Sequence, residues 1–212
     1  MLTTSDNSSL VIDTLCHQAE GADTNVIGLY CDFLHQKEQS TTNMLGAILK
    51  QLISRGNIPE YILEAFRRGR DWFGGGCLGR PDLLKMLKWT IQTQTRVFIC
   101  IDGLDECLPD HRVGLLESLR ELSRESPGVR IFLAGRTHVK DEVAKYFTGV
   151  HMIHIVPAQD DIKIYLEMKL GRDTELDAMD DSLRRDIMKD IPKSISEMYV
   201  KAQYLRSELN ML

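Results

Sequence analysis

The stretch 96-RVFICIDGLDECLPDH-111 decides the fold. Apolar residues run unbroken from Val97 to Ile101 and end in Asp102, and Asp105 and Glu106 follow within one turn of chain. Asp102-Gly103 admits two readings. D-G is a strong hairpin signal. Yet Pro109 and Asp110 restart a pattern with Leu115, Leu116, Leu119 and Leu122 at helical spacing, so no return strand is expected. The run then reads as a buried strand that delivers acidic side chains at its carboxyl end. In parallel sheets functional groups gather at those ends.

Working outward, strands and helices alternate. Residues 8–18 read as a short helix with Leu10, Val11 and Leu15 on one side, and 26–33 (VIGLYCDF) as a strand. From Thr42 the positions Met44, Leu45, Ile48, Leu49, Leu52 and Ile53 predict a helix, capped by Ser40, Thr41 or Thr42. Pro59 opens another helix through Tyr61, Ile62, Ala65 and Phe66, ending in the basic run RRGR, and Pro81 opens a third with Leu83, Leu84, Leu87 and Trp89. Residues 129–134 (VRIFLA) and 151–156 (HMIHIV) read as strands, with a short helix near 139–147 between them. After Pro157 the pattern is helical throughout, over 160–170, 175–190 and 193–210. The expectation is an α/β core over 1–158, with a parallel sheet covered on both faces, and an all-helical tail over 159–212.

An apolar strand ending in Asp is also what a Walker B element needs. There the strand fixes one carboxylate beside a nucleotide-bound Mg²⁺, and further acidic groups orient water. The full string VFICIDGLDEC resembles the Walker B of NACHT-type NTPases in the STAND class of signalling ATPases and GTPases. It is most similar to the fungal NACHT proteins and the nephrocystin-like N-terminal domains. Other segments resemble the family in the same order: VIGLYCDF its second strand, NMLGAILKQL at 43–52 the next helix, and RIFLAGR at 130–136 the sensor 1 strand. DIKIYLEMKL at 161–170 resembles the helix after the last core strand, and MYVKAQYLRSEL at 198–209 the closing helix.

The resemblance implies roles. Asp102 would be the Mg²⁺-associated aspartate. Asp105 or Glu106 would position or activate water, with the choice between them open. Arg136 would sense the γ-phosphate, or be a solvated arginine at a loop start. Gly135 stands where the family usually has Ser, so a hydroxyl contact is lost there.

A nucleotide site of this type also needs G-x-x-x-x-G-K-[ST], whose amides cradle phosphate and whose Lys neutralises it. The near match 74-GGGCLGRP-81 fails, because Arg80 replaces Lys, Pro81 replaces Ser/Thr, and it follows a helix. The chain is expected to start just after the missing motif, with 9-SLVID-13 as the rest of the phosphate-loop helix. In the family the strand before that loop lies between the sensor 1 strand and the last core strand. Its loss should leave a gap or force re-pairing, since each unpaired buried backbone group costs roughly 1–3 kcal/mol. A chain marginal alone, or completed by another polypeptide, is expected.

These features imply a partial P-loop NTPase domain of a nucleotide-dependent signalling switch, using Mg²⁺ and ATP or GTP in the family. It is expected to be unable to bind or hydrolyse nucleotide alone. The alternatives are a non-catalytic module that pairs with intact NACHT or STAND protomers, and an active protein whose start has been misplaced. The net charge of −5 gives no electrostatic reason for nucleic acid. No apolar run reaches a membrane span of about 18 residues. Cys16, Cys31, Cys77, Cys100 and Cys107 form no C-x-x-C pair and read as free thiols of a cytoplasmic protein. His151 and His154 are spaced to face opposite sides of a strand and make no metal pair.

Overall fold

The computed structural model describes residues 4–19, 23–54, 58–73, 78–155, 159–171, 181–195 and 200–205. Strands β1 (Thr24–Tyr30), β2 (Arg96–Asp102), β3 (Val129–Arg136), β4 (His151–Ile155) and β5 (Val200–Leu205) form one sheet in the order β1-β2-β3-β5-β4. The first three are parallel, and β5 runs antiparallel to both of its neighbours. The helices are α1 (Thr4–Ala19), α2 (Thr41–Ile53), α3 (Glu60–Phe73), α4 (Arg80–Gln92), α5 (Pro109–Glu125), α6 (Lys140–Tyr146), α7 (Gln159–Gly171) and α8 (Asp181–Ile195).

Alternation along β2 explains why its run is apolar throughout. Val97, Ile99 and Ile101 enter the large core with residues of α2, α4 and α5, whereas Phe98 and Cys100 face Val11, Ile12 and Leu15 of α1. Successive side chains point to opposite faces, so one set is buried in the core and the other is covered by α1, with Phe98 partly buried. Each fully buried Leu or Ile contributes about 1.5–3 kcal/mol. The cap of α2 falls on Ser40, whose hydroxyl accepts the Asn43 N–H at 3.2 Å. At the sheet edge, Gln51 binds both backbone groups of Gly28 on β1, at 3.1 Å and 2.9 Å. That occupies part of an edge otherwise open to another strand.

Several boundaries differ from the sequence expectation, among them β3, which runs to Arg136 rather than 134, and α8, which runs to Ile195 rather than 190. Helix α1 begins at Thr4 rather than residue 8, β1 ends at Tyr30 rather than 33, and α3 continues beyond RRGR to Phe73. The tail differs in kind. It is helical in α7 and α8, but Val200–Leu205 is a strand where a helix over 193–210 was expected. Its six residues pair with β3 on one side and five of them with β4 on the other. This is the position where a gap or re-pairing was expected, and the facing edges of β3 and β4 are paired from within the chain. Two waiting strand edges override a short helical period, because strand preference is set by neighbours more than by intrinsic propensity. Residues 193–195 of that expected helix close α8 instead, and 196–199 and 206–210 lie outside the described residues.

Candidate functional site

Parallel pairing brings the ends of β1, β2 and β3 to one edge, with Tyr30 opposite Asp102. The exit of β2 is a tight 3-10 turn, Leu104–Glu106, entered through Gly103 at φ +67°. That left-handed conformation strongly favours glycine. Space demands it too, since a Cβ at Gly103 would lie 2.8 Å from the Cys31 carbonyl oxygen. The same stretch of chain is held by the Cys31 N–H, which donates to the Asp102 carbonyl at 2.9 Å. Leu104 is buried and anchors the turn in the core. The D-G signal thus marks a strand-to-turn exit and not a hairpin.

The turn directs its acids differently. Asp102 is buried, and its Oδ1 accepts the Gly103 N–H at 2.9 Å. Asp105 reaches the end of β3: its Oδ1 accepts the Arg136 N–H at 3.0 Å, and its Oδ2 lies 3.4 Å from Arg136 Nε. Its side chain is 7% exposed, against 68% for Arg136. Glu106 reaches the other way, accepting the Phe33 N–H at 2.9 Å, while its carbonyl accepts Gln36 Nε2 at 2.6 Å. Gly135 permits the Asp105 contact, for an added Cβ would sit 3.2 Å from Asp105 Oδ1.

The structure thus brings Asp105 and Arg136 together and places Asp102 and Glu106 on the same turn. The rejected phosphate-loop match is elsewhere: Arg80 opens α4 and donates to Ser118 and Glu117 of α5, each at 3.0 Å, and 74–77 lie outside the described residues. Arg67 pairs with Glu60 at 2.9 Å on the surface of α3. The side chains of Arg68, Arg70, Trp72, Phe73 and His154 lie outside the description.

Sequence reading passed over Arg112. Its guanidinium, 10% exposed, donates from Nε to Glu142 on α6 at 2.9 Å and from the same fork to the Cys107 carbonyl at 3.0 Å. It fixes the downstream end of the acidic turn. The signal was present, since Arg112 stands three and four residues before Leu115 and Leu116, on the apolar stripe of α5. Asp32 was passed over too. Its side chain accepts the Leu34 N–H at 2.9 Å and contacts His35 Nδ1 at 2.6 Å. The Leu34 N–H, and then His35, hold the Asp32 carboxyl below its ordinary value, and Asp32 raises His35.

The fit to a resident metal is poor. Mg²⁺ takes near-octahedral oxygen ligands, commonly one or two carboxylates with water and phosphate. Here Asp105 and Glu106 already accept protein donors. Among the described residues, no group of three or more His, Cys, Asp or Glu is disposed to hold a metal ion. The hollow beside Arg136, between Leu104, Leu133, Gly135 and Val139, is about 10 Å³, room for a water and not a nucleotide. No helix among the described residues is long and apolar enough to cross a membrane.

Neither the curated proteins nor the solved structures contain a match to this chain. The family model described as nephrocystin 3, N-terminal, matches residues 5–136. That span runs from the second residue of α1 to Arg136 at the end of β3, and it holds the acidic turn and its arginine partner. The chain belongs to the nephrocystin 3 N-terminal family.

Proposed function

We propose that these residues are the Walker B and sensor 1 half of a NACHT-type, P-loop NTPase switch domain. The observation that supports this best is the contact of Asp105, after β2, with Arg136, at the end of the neighbouring parallel strand β3. It joins an acidic strand end to a cation at the carboxyl edge of a sheet, where ligands of open α/β folds bind. Family membership over 5–136 agrees with it. In this reading Asp102 would stand nearest a nucleotide-bound Mg²⁺, Asp105 or Glu106 would handle water, and Arg136 would answer to phosphate, once the Phe33 and Arg136 contacts of the two acids give way.

The geometry is that of a site satisfied by its own residues. Arg136 is held by Asp105 and Glu106 by the Phe33 N–H. Because Arg136 is largely exposed, its ion pair is worth at most about 1 kcal/mol, and the side chain can swing to an incoming phosphate. The sequence contains no G-x-x-x-x-G-K-[ST] to hold that phosphate. These residues alone are therefore a poor nucleotide binder, and the switch works with further protein supplying the phosphate loop, from the same polypeptide or another NACHT or STAND protomer.

The test is calorimetric titration of the 212-residue chain with ATP and GTP in the presence of Mg²⁺. No micromolar binding is expected. Micromolar binding lost in Asp102→Asn and Arg136→Ala would keep the site and refute the need for the loop. Binding untouched by both substitutions would refute the site itself.

A further inference from the structure

Two thiols meet beneath the acidic turn. Cys31 lies one residue beyond β1, and Cys107 directly follows the turn Leu104–Glu106. Their sulfurs are 3.0 Å apart, and Met44 Sδ of α2 stands 3.9 Å from Cys107 Sγ. Their relative exposures are 9% and 2%. The two residues are 76 positions apart in sequence, so the pairing of β1 with β2 makes the contact. The backbone on each side is pinned: the Cys31 N–H donates to the Asp102 carbonyl at 2.9 Å, and Arg112 donates to the Cys107 carbonyl at 3.0 Å. A disulfide bond of about 2.05 Å needs the sulfurs to approach by only about 1 Å.

The two thiols are not equivalent. The contact with Cys31, and then the charge of Arg112, holds Cys107 below the ordinary thiol value, against burial and the charges of Asp105 and Glu106. The same contact, with burial, pushes Cys31 up. Either sulfur lies within reach of the other, so whichever is oxidised first is resolved by its neighbour. Buried Cys100, on the opposite face of the sheet, is pushed up to about 12 by desolvation.

We propose that Cys31 and Cys107 are a redox modification site, in which a hydroperoxide forms a reversible disulfide that clamps the acidic turn to the exit of β1. One of the two thiolates attacks one peroxide oxygen. The O–O bond breaks, and the other oxygen leaves as water or an alcohol after taking a proton, which leaves a sulfenic acid. The second thiol then attacks that sulfur. The S–S bond forms, the S–O bond breaks, and hydroxide leaves as water with the second thiol's proton. Two thiols lose two electrons, and one peroxide gains them.

Closing the sulfur gap draws together two backbone segments that flank Asp102, Asp105 and Glu106. Oxidation therefore restrains the turn, and reduction frees it. The proposal goes beyond the nucleotide reading and does not depend on it.

The experiment treats the reduced, folded chain with a slight excess of hydrogen peroxide, removes the peroxide, unfolds the chain in guanidinium with N-ethylmaleimide so that every remaining thiol is alkylated, and maps the digested peptides by mass. Expected are the loss of two hydrogens, protection of two of the five thiols from alkylation, a link between the Cys31 and Cys107 peptides, and reversal by dithiothreitol. In Cys31→Ser or in Cys107→Ser, dimedone should trap a sulfenic acid at the remaining thiol of the pair. If neither variant folds, the wild-type map decides alone. Hydrogen exchange at Gly103 and Glu106 should slow on oxidation. A link through any other pair, both thiols still alkylated after peroxide, a link formed only in urea, or unchanged exchange at the turn would overturn the proposal.

Discussion

Substituting Gly103 by Ala tests the construction of the acidic turn, and Gly149 supplies the control. Both glycines have positive φ, +67° and +73°. A Cβ in the left-handed region costs about 1–2 kcal/mol at either position. Both substitutions remove the same unfolded-chain freedom, which offsets about 0.4–1 kcal/mol in each. Their surroundings differ. A Cβ at Gly149 meets nothing within 4 Å, whereas one at Gly103 lies 2.8 Å from the Cys31 carbonyl oxygen. That distance is too short to keep, and the neighbour is backbone, so the ends of β1 and β2 must separate. Overpacking of this kind costs about 1–3 kcal/mol. The backbone and unfolded-state contributions cancel in the difference, so Gly103→Ala should be about 1–3 kcal/mol less stable than Gly149→Ala. Urea unfolding followed by circular dichroism reads this directly, with equal slopes expected for the two variants. Equal midpoints, or a costlier Gly149→Ala, would refute the claim that close approach to Cys31, beyond φ alone, fixes Gly103.

Arg112→Met alone strands part-buried Glu142 and the Cys107 carbonyl, and should cost about 1–3 kcal/mol in urea unfolding. Arg112→Met with Glu142→Met should recover the part owed to Glu142, since the Cys107 carbonyl stays without its donor. A single variant as stable as the parent would show that the pair does not hold the turn. By NMR, the His35 ring should titrate above 6.5, and Asp32→Asn should bring it back toward 6.5. The contribution of that contact is complete below the unfolded His value and fades as pH rises through the raised folded one. On the acid side it is lost as pH falls through the depressed value of Asp32. An unmoved His35 midpoint in Asp32→Asn would remove the contact from the account. The register of β5 is tested by Ala134→Cys with Ala202→Cys, which face each other across β3 and β5. Antiparallel neighbours with Cα atoms about 4.5–5.5 Å apart fall within disulfide reach, so mild oxidation should cross-link this pair, whereas a helix at 200–205 would leave it open.

Much of the fold was legible because its signals are local. Apolar strands bounded by Pro, Gly and polar loops, and helices with doubled i, i+4 stripes, located β1 to β4 and α1 to α7 within a few residues, while α8 runs on to Ile195 rather than ending at 190. The acidic turn was legible too, since an apolar run can end in Asp102 at only one place. Which acid faces which partner was not. Asp105 and Glu106 are adjacent, yet one turns to Arg136 and the other to the Phe33 N–H. Arg112 sat in view on the stripe of α5, but nothing local says that an arginine among leucines will meet Glu142.

By itself, then, the sequence determined the α/β alternation, the parallel pairing of β1, β2 and β3, and the acidic exit of β2. Periodicity and strand chemistry act over a few residues, and burial on both faces leaves little choice. Tertiary structure alone decided that Val200–Leu205 is a strand, that Cys31 meets Cys107, and that Asp105 holds Arg136. Each depends on partners far apart in the chain, brought together only when the sheet closes. For β5 the reason is plain: the open edges of β3 and β4 present backbone groups that must be paired, and meeting that demand outweighs the modest helical preference of six residues.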